Sequence, residues 1–403
     1  MYIFKAGVVG AGTMGGEIAQ VISFSGLPVV MKDVDQAMLD KGMETIRHIY
    51  QSRVDKGKMS AGEMEGKIAL IEPTLSYDSF ADVDIVIEAV PEKMKVKRLV
   101  LGELDAVLPE TAIIASNTSA LSISEMAAAT KRPGKVVGMH FFNPAHIMKL
   151  VEIIPGLETA QETIDDTVAF TESLRKLAVV VQECPGFLVN RLLMPYLNEA
   201  TWCLQEGAAT AAEIDAALTK FGMPMGPFTL MDMLGIDVCQ YVGDYLGSEY
   251  GPRMEGAPIF KKLVAAGRLG EKNGKGFYGY GDETDEPVQE IIAAFDKPPD
   301  SVFSVERVIY PLINEAVLAL QEHVASVNDV DMAMIAGTGM TYHGERKGPL
   351  AIADEIGLDV VLAGLEQFFA QYGERFRPSR LLRTKVRAGH LGAKVGRGFN
   401  EYA

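Results

Sequence analysis

The chain has 403 residues, a hydrophobic fraction of 48% and a formal net charge of −16 at pH 7. This length predicts two or three domains, and the acidic balance argues against nucleic acid or an anionic membrane as a general partner. There is no apolar run as long as a membrane span, no leader pattern before the first apolar strand, and no metal-ligand spacing among three cysteines, which together predict a cytoplasmic protein without a metal site.

Residues 1–183 alternate short apolar runs with helical periods, and this pattern predicts an α/β domain with a doubly wound, mostly parallel sheet. Apolar residues at helical spacing predict helices at 15–24 and 38–54. The clearest predicted strands lie at 6–9, 28–32, 85–89, 113–116 and 136–139.

A glycine motif, GxGxxG, follows the first predicted strand and opens the first predicted helix. It consists of Gly10, Ala11, Gly12, Thr13, Met14 and Gly15. The first glycine permits a tight turn, the second lets the backbone approach a pyrophosphate, and the third lets helix and strand pack closely. Asp33 ends the second strand, where a carboxylate accepts from ribose hydroxyls and repels a 2′-phosphate. These residues predict a Rossmann domain that binds NAD in preference to NADP.

The sequence changes after residue 183 to helical patterns, and two stretches of this region repeat each other. Blocks that begin at three positions of the first stretch return in the same order in the second, as Pro195 and Pro311, Gly226 and Gly348, and Leu269 and Leu391. We therefore predict two tandem all-α domains, a first copy at 184–282 and a second copy at 301–403, joined by an acidic linker at 283–300.

Two titratable residues are candidates for proton transfer. His140 follows the predicted strand at 136–139, and open α/β sheets place their ligands at the carboxyl ends of strands. Glu152 lies inside an apolar run, where a buried carboxylate requires a cationic or hydrogen-bonding partner, and a histidine that takes up a proton is such a partner. A structural histidine and a sheet-edge acid are the alternative interpretation of these residues.

With these motifs the chain resembles the L-3-hydroxyacyl-CoA dehydrogenases of fatty-acid β-oxidation and butyrate metabolism, over essentially its whole length. The matching segments, in the family's order, begin at Gly10, Val90, Ser116, His140, Pro185, Gly222 and Gly274. The resemblance implies an NAD-dependent oxidation of an L-3-hydroxyacyl-CoA thioester to the 3-oxoacyl-CoA, and the reverse reaction.

The resemblance also implies a role for each matching residue. His140 would be the general base, Glu152 would orient it, and Ser119 and Asn190 would hydrogen-bond the reacting oxygen and the thioester region. Besides the glycine motif, the implied cofactor contacts are Asp33, Glu92, Lys97, Ser119, Asn143 and Lys272.

Coenzyme A carries an anionic tail, which an acidic chain must offset locally. Basic residues follow Asp33 in the helix and turn where the family contacts coenzyme A, and these are Arg47, Arg53, Lys56 and Lys58. We expect Arg53 and Lys56 to bind substrate, with a solvated basic face as the alternative for any single residue.

The second helical copy departs from the family pattern, because Glu306 stands where the first copy has Asn190. A carboxylate there would face the thioester oxygen as a like charge. We therefore predict a non-catalytic second copy that pairs with the first inside the chain and covers its apolar face, with further homo-oligomerisation open. No segment resembles an enoyl-CoA hydratase, which predicts a stand-alone dehydrogenase.

Two other functions stay open at this point. One is a dehydrogenase of the same superfamily that acts on a free hydroxy acid, which loss of the basic patch from the active-site side would favour. The other is a non-catalytic NAD-binding structural protein. The joint presence of Ser119, His140, Glu152 and Asn190 argues against the second alternative.

Overall fold

The structure is a computed structural model that describes residues 2–402. The chain divides into two compact units, Met1–Phe187 and Leu188–Ala403.

The first unit is built on one eight-stranded sheet. Its strands are β1 (Ala6–Val9), β2 (Val29–Lys32), β3 (Ile71–Thr74), β4 (Ile85–Glu88), β5 (Ile113–Ser116), β6 (Val136–Phe141), β7 (Leu150–Pro155) and β8 (Leu177–Val180). They lie in the order β3-β2-β1-β4-β5-β6-β7-β8. Strands β1 to β6 run parallel, β7 runs antiparallel to β6, and β8 is parallel to β7. The predicted doubly wound, mostly parallel sheet is confirmed.

Six α-helices of this unit connect the strands. They are α1 (Thr13–Ser25), α2 (Gln36–Asp55), α3 (Ala61–Ile68), α4 (Met94–Val107), α5 (Ile123–Ala127) and α6 (Gln161–Ser173), and short 3₁₀ turns lie at Asp78–Phe80 and Pro133–Lys135. Strands β1, β2 and β4 to β7 are buried along their whole length, and most of their residues are apolar. A sheet covered on both faces requires such continuous hydrophobic strands.

Two differences from the predicted strands have a physical reason. The structure extends β6 to Phe141, so His140 lies inside the strand and not after it, which corrects the predicted boundary. The sequence did not mark β3 and β8 as clear strands, because these edge strands bury few side chains and β3 contains Pro73.

The second unit is helical. Its α-helices are α7 (Val189–Gln205), α8 (Ala211–Phe221), α9 (Pro227–Leu234), α10 (Ile236–Tyr250), α11 (Ile259–Ala265), α12 (Glu286–Ala293), α13 (Val305–Gln321), α14 (Val327–Thr338), α15 (Pro349–Ile356), α16 (Leu358–Tyr372) and α17 (Arg380–Arg387). Its 3₁₀ turns lie at Gly251–Met254, Glu271–Asn273, Gly373–Phe376 and Ala393–Val395. Helices α7 to α11 and α13 to α17 follow the same order, as the two predicted copies require. The predicted linker at 283–300 contains α12, which buries Val288 and Ile292 and is therefore packed.

The two copies contact each other along α7 and α13 through ionic clusters. In one cluster, the fully buried Arg191 of the first copy pairs with two carboxylates of the second, Glu315 at 2.8 Å and Glu322 at 2.8 Å. Arg253 also pairs with Glu315, at 3.2 Å, and Tyr250 stacks on both guanidinium groups. Each buried charge in this cluster therefore has a partner of opposite sign.

The same cluster occurs a second time with the roles of the copies exchanged. Arg307 of the second copy is fully buried and pairs with Glu199 at 2.8 Å and Glu206 at 2.7 Å, both from the first copy. Arg375 pairs with Glu199 at 2.9 Å, and the Arg307 guanidinium lies over the ring of Tyr372. Burial lowers the pKa of Arg307, but the two carboxylates more than offset this, so its pKa lies above the ordinary value.

Candidate functional site

The glycine motif forms a tight turn between β1 and α1. Gly10 has φ of 102°, and a Cβ at this position would lie 2.6 Å from the carbonyl oxygen of Ala89. A Cβ at Gly15 would lie 1.7 Å from the carbonyl oxygen of Gly10, so both positions require glycine. Gly12, by contrast, has no described atom within 4 Å of its Cβ position.

This open side of Gly12 fits a pyrophosphate. Helix α1 begins after Gly12, and no described side chain caps it, so its N-terminal dipole is available to an anion. Asp33 holds the turn in place, since its Oδ2 accepts from the backbone N–H of Ala11 at 2.6 Å and its Oδ1 from that of Val34 at 2.6 Å. The residues therefore fit a dinucleotide, and the contact of Asp33 with a ribose stays a prediction.

His140 and Glu152 face each other across β6 and β7. The antiparallel register makes them direct partners, which places their side chains on the same face of the sheet. Nδ1 of His140 lies 2.7 Å from Oε2 of Glu152, and the two side chains are 6% and 0% exposed. The ring centroids of Phe142 and Phe187 lie 4.5 and 5.8 Å from the centroid of the imidazole. Such a pair can exchange a proton with a ligand at Nε2.

An internal ionic network lies at the carboxyl ends of β4 and β5. Glu88 is fully buried and accepts from the hydroxyl of Ser116 at 2.6 Å and from Nζ of Lys97 at 2.9 Å. Lys97 is also fully buried, and it pairs with Glu92 at 3.2 Å. The half-buried Glu92 in turn accepts from the backbone N–H of Ser119 at 2.9 Å. Lys97 is therefore held between Glu88, which sequence reasoning missed, and Glu92, and its contact with the cofactor stays a prediction.

The structure brings the remaining predicted residues of the first unit to the same edge of the sheet. Ser119 follows β5, and the exposed Asn143 follows β6. The side chain of Asn117 accepts from the backbone N–H of Phe141 at 2.9 Å and so anchors the end of β6 beside His140. Sequence reasoning quoted Asn117 only as part of a motif.

Two predicted residues belong to the second unit. Asn190 is the second residue of α7. Lys272 forms an ion pair with Asp237, the second residue of α10. Their participation in the site stays a prediction.

A basic cavity of about 800 Å³ lies in the first unit between α1, α2 and the segment after β6. Three of the four basic residues singled out in the sequence line it, namely Arg53, Lys56 and Lys58. Arg47 is exposed and pairs with Glu65 at 2.9 Å. Sequence reasoning missed the other basic residues of the wall. Two of them, Lys41 and His48, lie on α2 itself, and the others come from distant segments: His146, Lys149, Arg175 and Lys176.

The segment after β6 is fastened from two sides. Glu17 of α1 accepts from the backbone N–H of Ala145 and lies 3.4 Å from Nδ1 of His146. Lys176 donates to the carbonyl oxygens of Ala145 and Met148, the latter at 2.6 Å. Burial lowers the pKa of Lys176 to about 8, with Glu17 opposing the shift. Glu17 was detectable in the sequence as a lone acid among the apolar positions of α1.

Among residues 2–402 no cluster of His, Cys, Asp or Glu has the composition of a metal site. Nor does any helix in that range combine the length and the apolar character needed to cross a membrane.

Comparisons with known proteins bear on both units. The family model described as the NAD binding domain of 3-hydroxyacyl-CoA dehydrogenase matches residues 5–184. The model described as the C-terminal domain of 3-hydroxyacyl-CoA dehydrogenase matches residues 186–280 and 303–402.

Curated relatives are longer than this chain. The fatty acid oxidation complex subunit alpha of Psychrobacter arcticus is 39% identical over 404 residues, with 96% of this chain and 55% of that protein covered. The subunit of the same name from Idiomarina loihiensis is 41% identical over 400 residues, with the same coverage. The chain thus spans about half the length of the curated relatives it matches.

Solved structures of similar proteins share the fold. The 3-hydroxybutyryl-CoA dehydrogenase from Escherichia coli superposes with a TM-score of 0.86 at 30% identity, covering 96% of this chain and 99% of that one. The (S)-3-hydroxybutyryl-CoA dehydrogenase from Ralstonia eutropha has a TM-score of 0.68 at 41% identity, covering 70% of this chain and 100% of that one.

Proposed function

The chain belongs to the 3-hydroxyacyl-CoA dehydrogenase family, and from this premise we propose that it oxidises L-3-hydroxyacyl-CoA thioesters to 3-oxoacyl-CoA with NAD, and catalyses the reverse. The observation that carries the proposal is the buried pair of His140 and Glu152, with 2.7 Å between Nδ1 and the carboxylate. A general base in a dehydrogenase requires such a histidine, held in one orientation and able to bear a transient positive charge.

The pair determines which ring nitrogen of His140 exchanges a proton with the substrate. Because Nδ1 of His140 lies against the Glu152 carboxylate, Nδ1 carries a proton, and Nε2 is left to take the proton of the substrate 3-hydroxyl. The buried carboxylate stabilises the imidazolium that forms. The glycine turn at Gly10–Gly15 would hold NAD, which would supply the hydride acceptor for C3 of the substrate. In the reverse direction the imidazolium returns its proton to the oxygen.

The remaining predicted residues complete this site. Ser119, held through its backbone by Glu92, would hydrogen-bond the reacting oxygen together with Asn190. Asp33 would bind the adenosine ribose, and Asn143 and Lys272 would add further cofactor contacts. Asp33→Ser should therefore raise kcat/KM with NADP relative to NAD, because repulsion of the 2′-phosphate is removed.

The first test measures NADH formation from L-3-hydroxybutyryl-CoA. His140→Gln should lower kcat by about 10²- to 10⁴-fold and leave the Kd of NADH unchanged, since the base is lost and the cofactor turn is intact. The exposed His323 of the second copy offers a matched control, because His323→Gln should leave kcat unchanged. Near-normal turnover of His140→Gln would exclude this histidine as the base, and equal oxidation of free 3-hydroxybutyrate would favour a free hydroxy acid as substrate.

We further propose that the basic cavity binds the phosphorylated tail of coenzyme A. Its wall collects cationic side chains in a chain whose net charge is −16, which is the local offset that an anionic tail requires. Lys58→Ala should raise KM for the acyl-CoA several-fold, and Arg47→Ala, outside the cavity on the same segment, should not.

A truncated substrate tests whether Lys58 acts on the phosphorylated tail of coenzyme A. The Lys58→Ala effect should vanish with the pantetheine thioester, which lacks the nucleotide, and should weaken at high salt. An equal effect on both thioesters would contradict the assignment.

The cysteines support a cytoplasmic location as part of this proposal. Cys203 and Cys239 are buried thiols outside any disulfide, and such thiols fit a reducing compartment.

A further inference from the structure

A second cavity, of about 490 Å³, lies in the first helical copy between α7, α10 and the segment that joins α10 to α11. Four glycines line it, namely Gly243, Gly247, Gly251 and Gly256. None of the residues proposed above for catalysis, cofactor or substrate belongs to its wall.

Two amide side chains of this wall have unpaired oxygen atoms. Asn198 is 3% exposed, and its Nδ2 donates to the carbonyl oxygen of Met254 at 3.1 Å, which fixes the orientation of the amide. Its Oδ1 is buried and has no hydrogen-bond partner among the described residues. Nε2 of Gln240 donates to Asp244 at 3.3 Å, and its Oε1 is likewise buried without a partner in the described part of the chain.

The unpaired oxygen of Asn198 points toward the cavity. A Cβ at Gly256 would lie 3.6 Å from this atom and a Cβ at Gly243 would lie 4.0 Å away, and both glycines line the cavity. A buried acceptor without a donor is costly, so a native structure that retains one has a reason to do so, such as a bound ligand or water.

The second helical copy lacks this arrangement. There Asn314, at the position of Asn198, accepts from the backbone N–H of Ser379 at 2.8 Å and donates to the carbonyl oxygen of Arg377. The second copy also carries larger or apolar side chains at the positions of Gln240, Gly243 and Gly247, and these are Leu362, Leu365 and Phe369. The open, acceptor-lined space is therefore a feature of the first copy and not of the fold they share.

The chemistry of the wall selects a cation with several donors. Asp244 and Glu255 add carboxylates at the exposed edge of the cavity, and Lys261, 3.6 Å from Asp244, is the cation among the lining residues. We propose that this cavity binds a small aliphatic amine, whose ammonium group donates to Asn198 Oδ1 and Gln240 Oε1. The aliphatic part would lie against Pro258 and Phe260.

Titration calorimetry of the full chain with 1,5-diaminopentane tests the proposal, with 1,5-pentanediol as the neutral analogue. We expect saturable binding of one diamine per chain and at least about tenfold weaker binding of the diol, because hydrogen bonds from a charged donor are the stronger ones. Absence of saturable diamine binding, or equal affinity for the diol, would overturn the proposal.

The location of the site is tested by variants of the first copy that carry the residues of the second copy at equivalent positions. Gln240→Leu should weaken diamine binding at least about tenfold, because one acceptor is lost. Gly243→Leu should abolish binding, and a Cβ at Gly243 meets only ordinary contacts, the nearest being Met194 Sδ at 3.7 Å. Leu362→Gln, the matched control in the second copy, should change nothing.

Binding that survives both Gln240→Leu and Gly243→Leu would place the amine elsewhere and overturn the proposal. A crystal structure grown with the diamine that shows only water at the two amide oxygens would do the same. Should Gly243→Leu fail to fold, Gln240→Leu decides alone, because Gln240 is only half-buried.

Discussion

The two helical copies share the aspartates that accept hydrogen bonds from backbone N–H groups, and they differ at the positions proposed to contact a ligand. Asp215 accepts from two backbone N–H groups at the start of α9, and Asp331 does the same at the start of α15. Asp232 and Asp354 each accept from two backbone N–H groups and a tyrosine hydroxyl of the closing turn. These acids satisfy backbone groups at the same places in both copies, so both copies require them.

Other positions differ between the copies. Asn190 of the first copy corresponds to Glu306 of the second, and two of the four glycines of the amine cavity correspond to Leu365 and Phe369. An exposed or cavity-lining side chain can change without unpairing a backbone group. The comparison therefore separates residues that determine the helical fold from residues that belong to sites.

Removal of the second copy should change the protein more than any single substitution. A chain that ends after Ala294 leaves Arg191 without Glu315 and Glu322, and leaves Glu199 without Arg307. Each unpaired buried charge costs about 3–5 kcal/mol, so we expect insolubility or a new dimer joined through the first copy. Size-exclusion chromatography distinguishes these outcomes from a soluble, fully active monomer, which would show that the second copy covers nothing.

Single substitutions test whether the two ionic clusters are equivalent. Arg191→Met and Arg307→Met should each lower the free energy of unfolding of the helical unit by about 3–5 kcal/mol, because each leaves buried carboxylates uncompensated. Urea unfolding followed by circular dichroism measures the loss. Arg47→Met is the surface control and should change stability by less than about 1 kcal/mol. Strongly unequal losses would show that the two clusters differ in function.

Exchanging the site residues between the copies tests which copy is catalytic. Asn190→Glu should lower kcat/KM by about 10²- to 10³-fold, the cost of losing a donor at a developing oxyanion. Glu306→Asn should leave kcat/KM unchanged. The assay is NADH formation from L-3-hydroxybutyryl-CoA, and a gain or loss of activity in Glu306→Asn would contradict a non-catalytic second copy.

The smallest expected effect concerns Asp331. Burial raises its pKa to about 6, and two backbone N–H groups oppose the shift. Asp215 has two further donors, the hydroxyls of Thr229 and Tyr278, where the second copy has Ala351 and Asn400. A raised folded pKa contributes stability that is present below about pH 4 and is lost as pH rises through 6, about 2–3 kcal/mol in all.

Ala351→Thr with Asn400→Tyr supplies the missing hydroxyls to Asp331. The double variant should lower the pKa of Asp331 and reduce the loss of stability between pH 4.5 and 7.5 by about 1–2 kcal/mol. Urea unfolding at the two pH values measures it. An unchanged pH dependence would show that these hydroxyls do not influence the titration of Asp331.

Much of the fold could be predicted from sequence because its signals are local. The glycine motif, the apolar strands β1, β2, β4, β5 and β6, and the repeated helical blocks are each read within a short window. The edge strands β3 and β8 and the packed helix α12 carry weak local signals, because their structure depends on what packs against them. The ionic clusters were open to prediction: arginine and glutamate recur at equivalent positions within the otherwise apolar α7 and α13.

The sequence by itself determined the family, the dinucleotide turn, the duplication and the candidate pair of His140 and Glu152, because each depends on residue type and local spacing. The tertiary structure decided that β7 runs antiparallel to β6 and sets His140 directly opposite Glu152. It also decided that Lys97 is buried between two carboxylates, and that cationic residues far apart in the chain form one cavity without Arg47. Such pairings depend on strand direction and register and on helix rotation, which the packing of the whole core fixes and no short window of sequence contains.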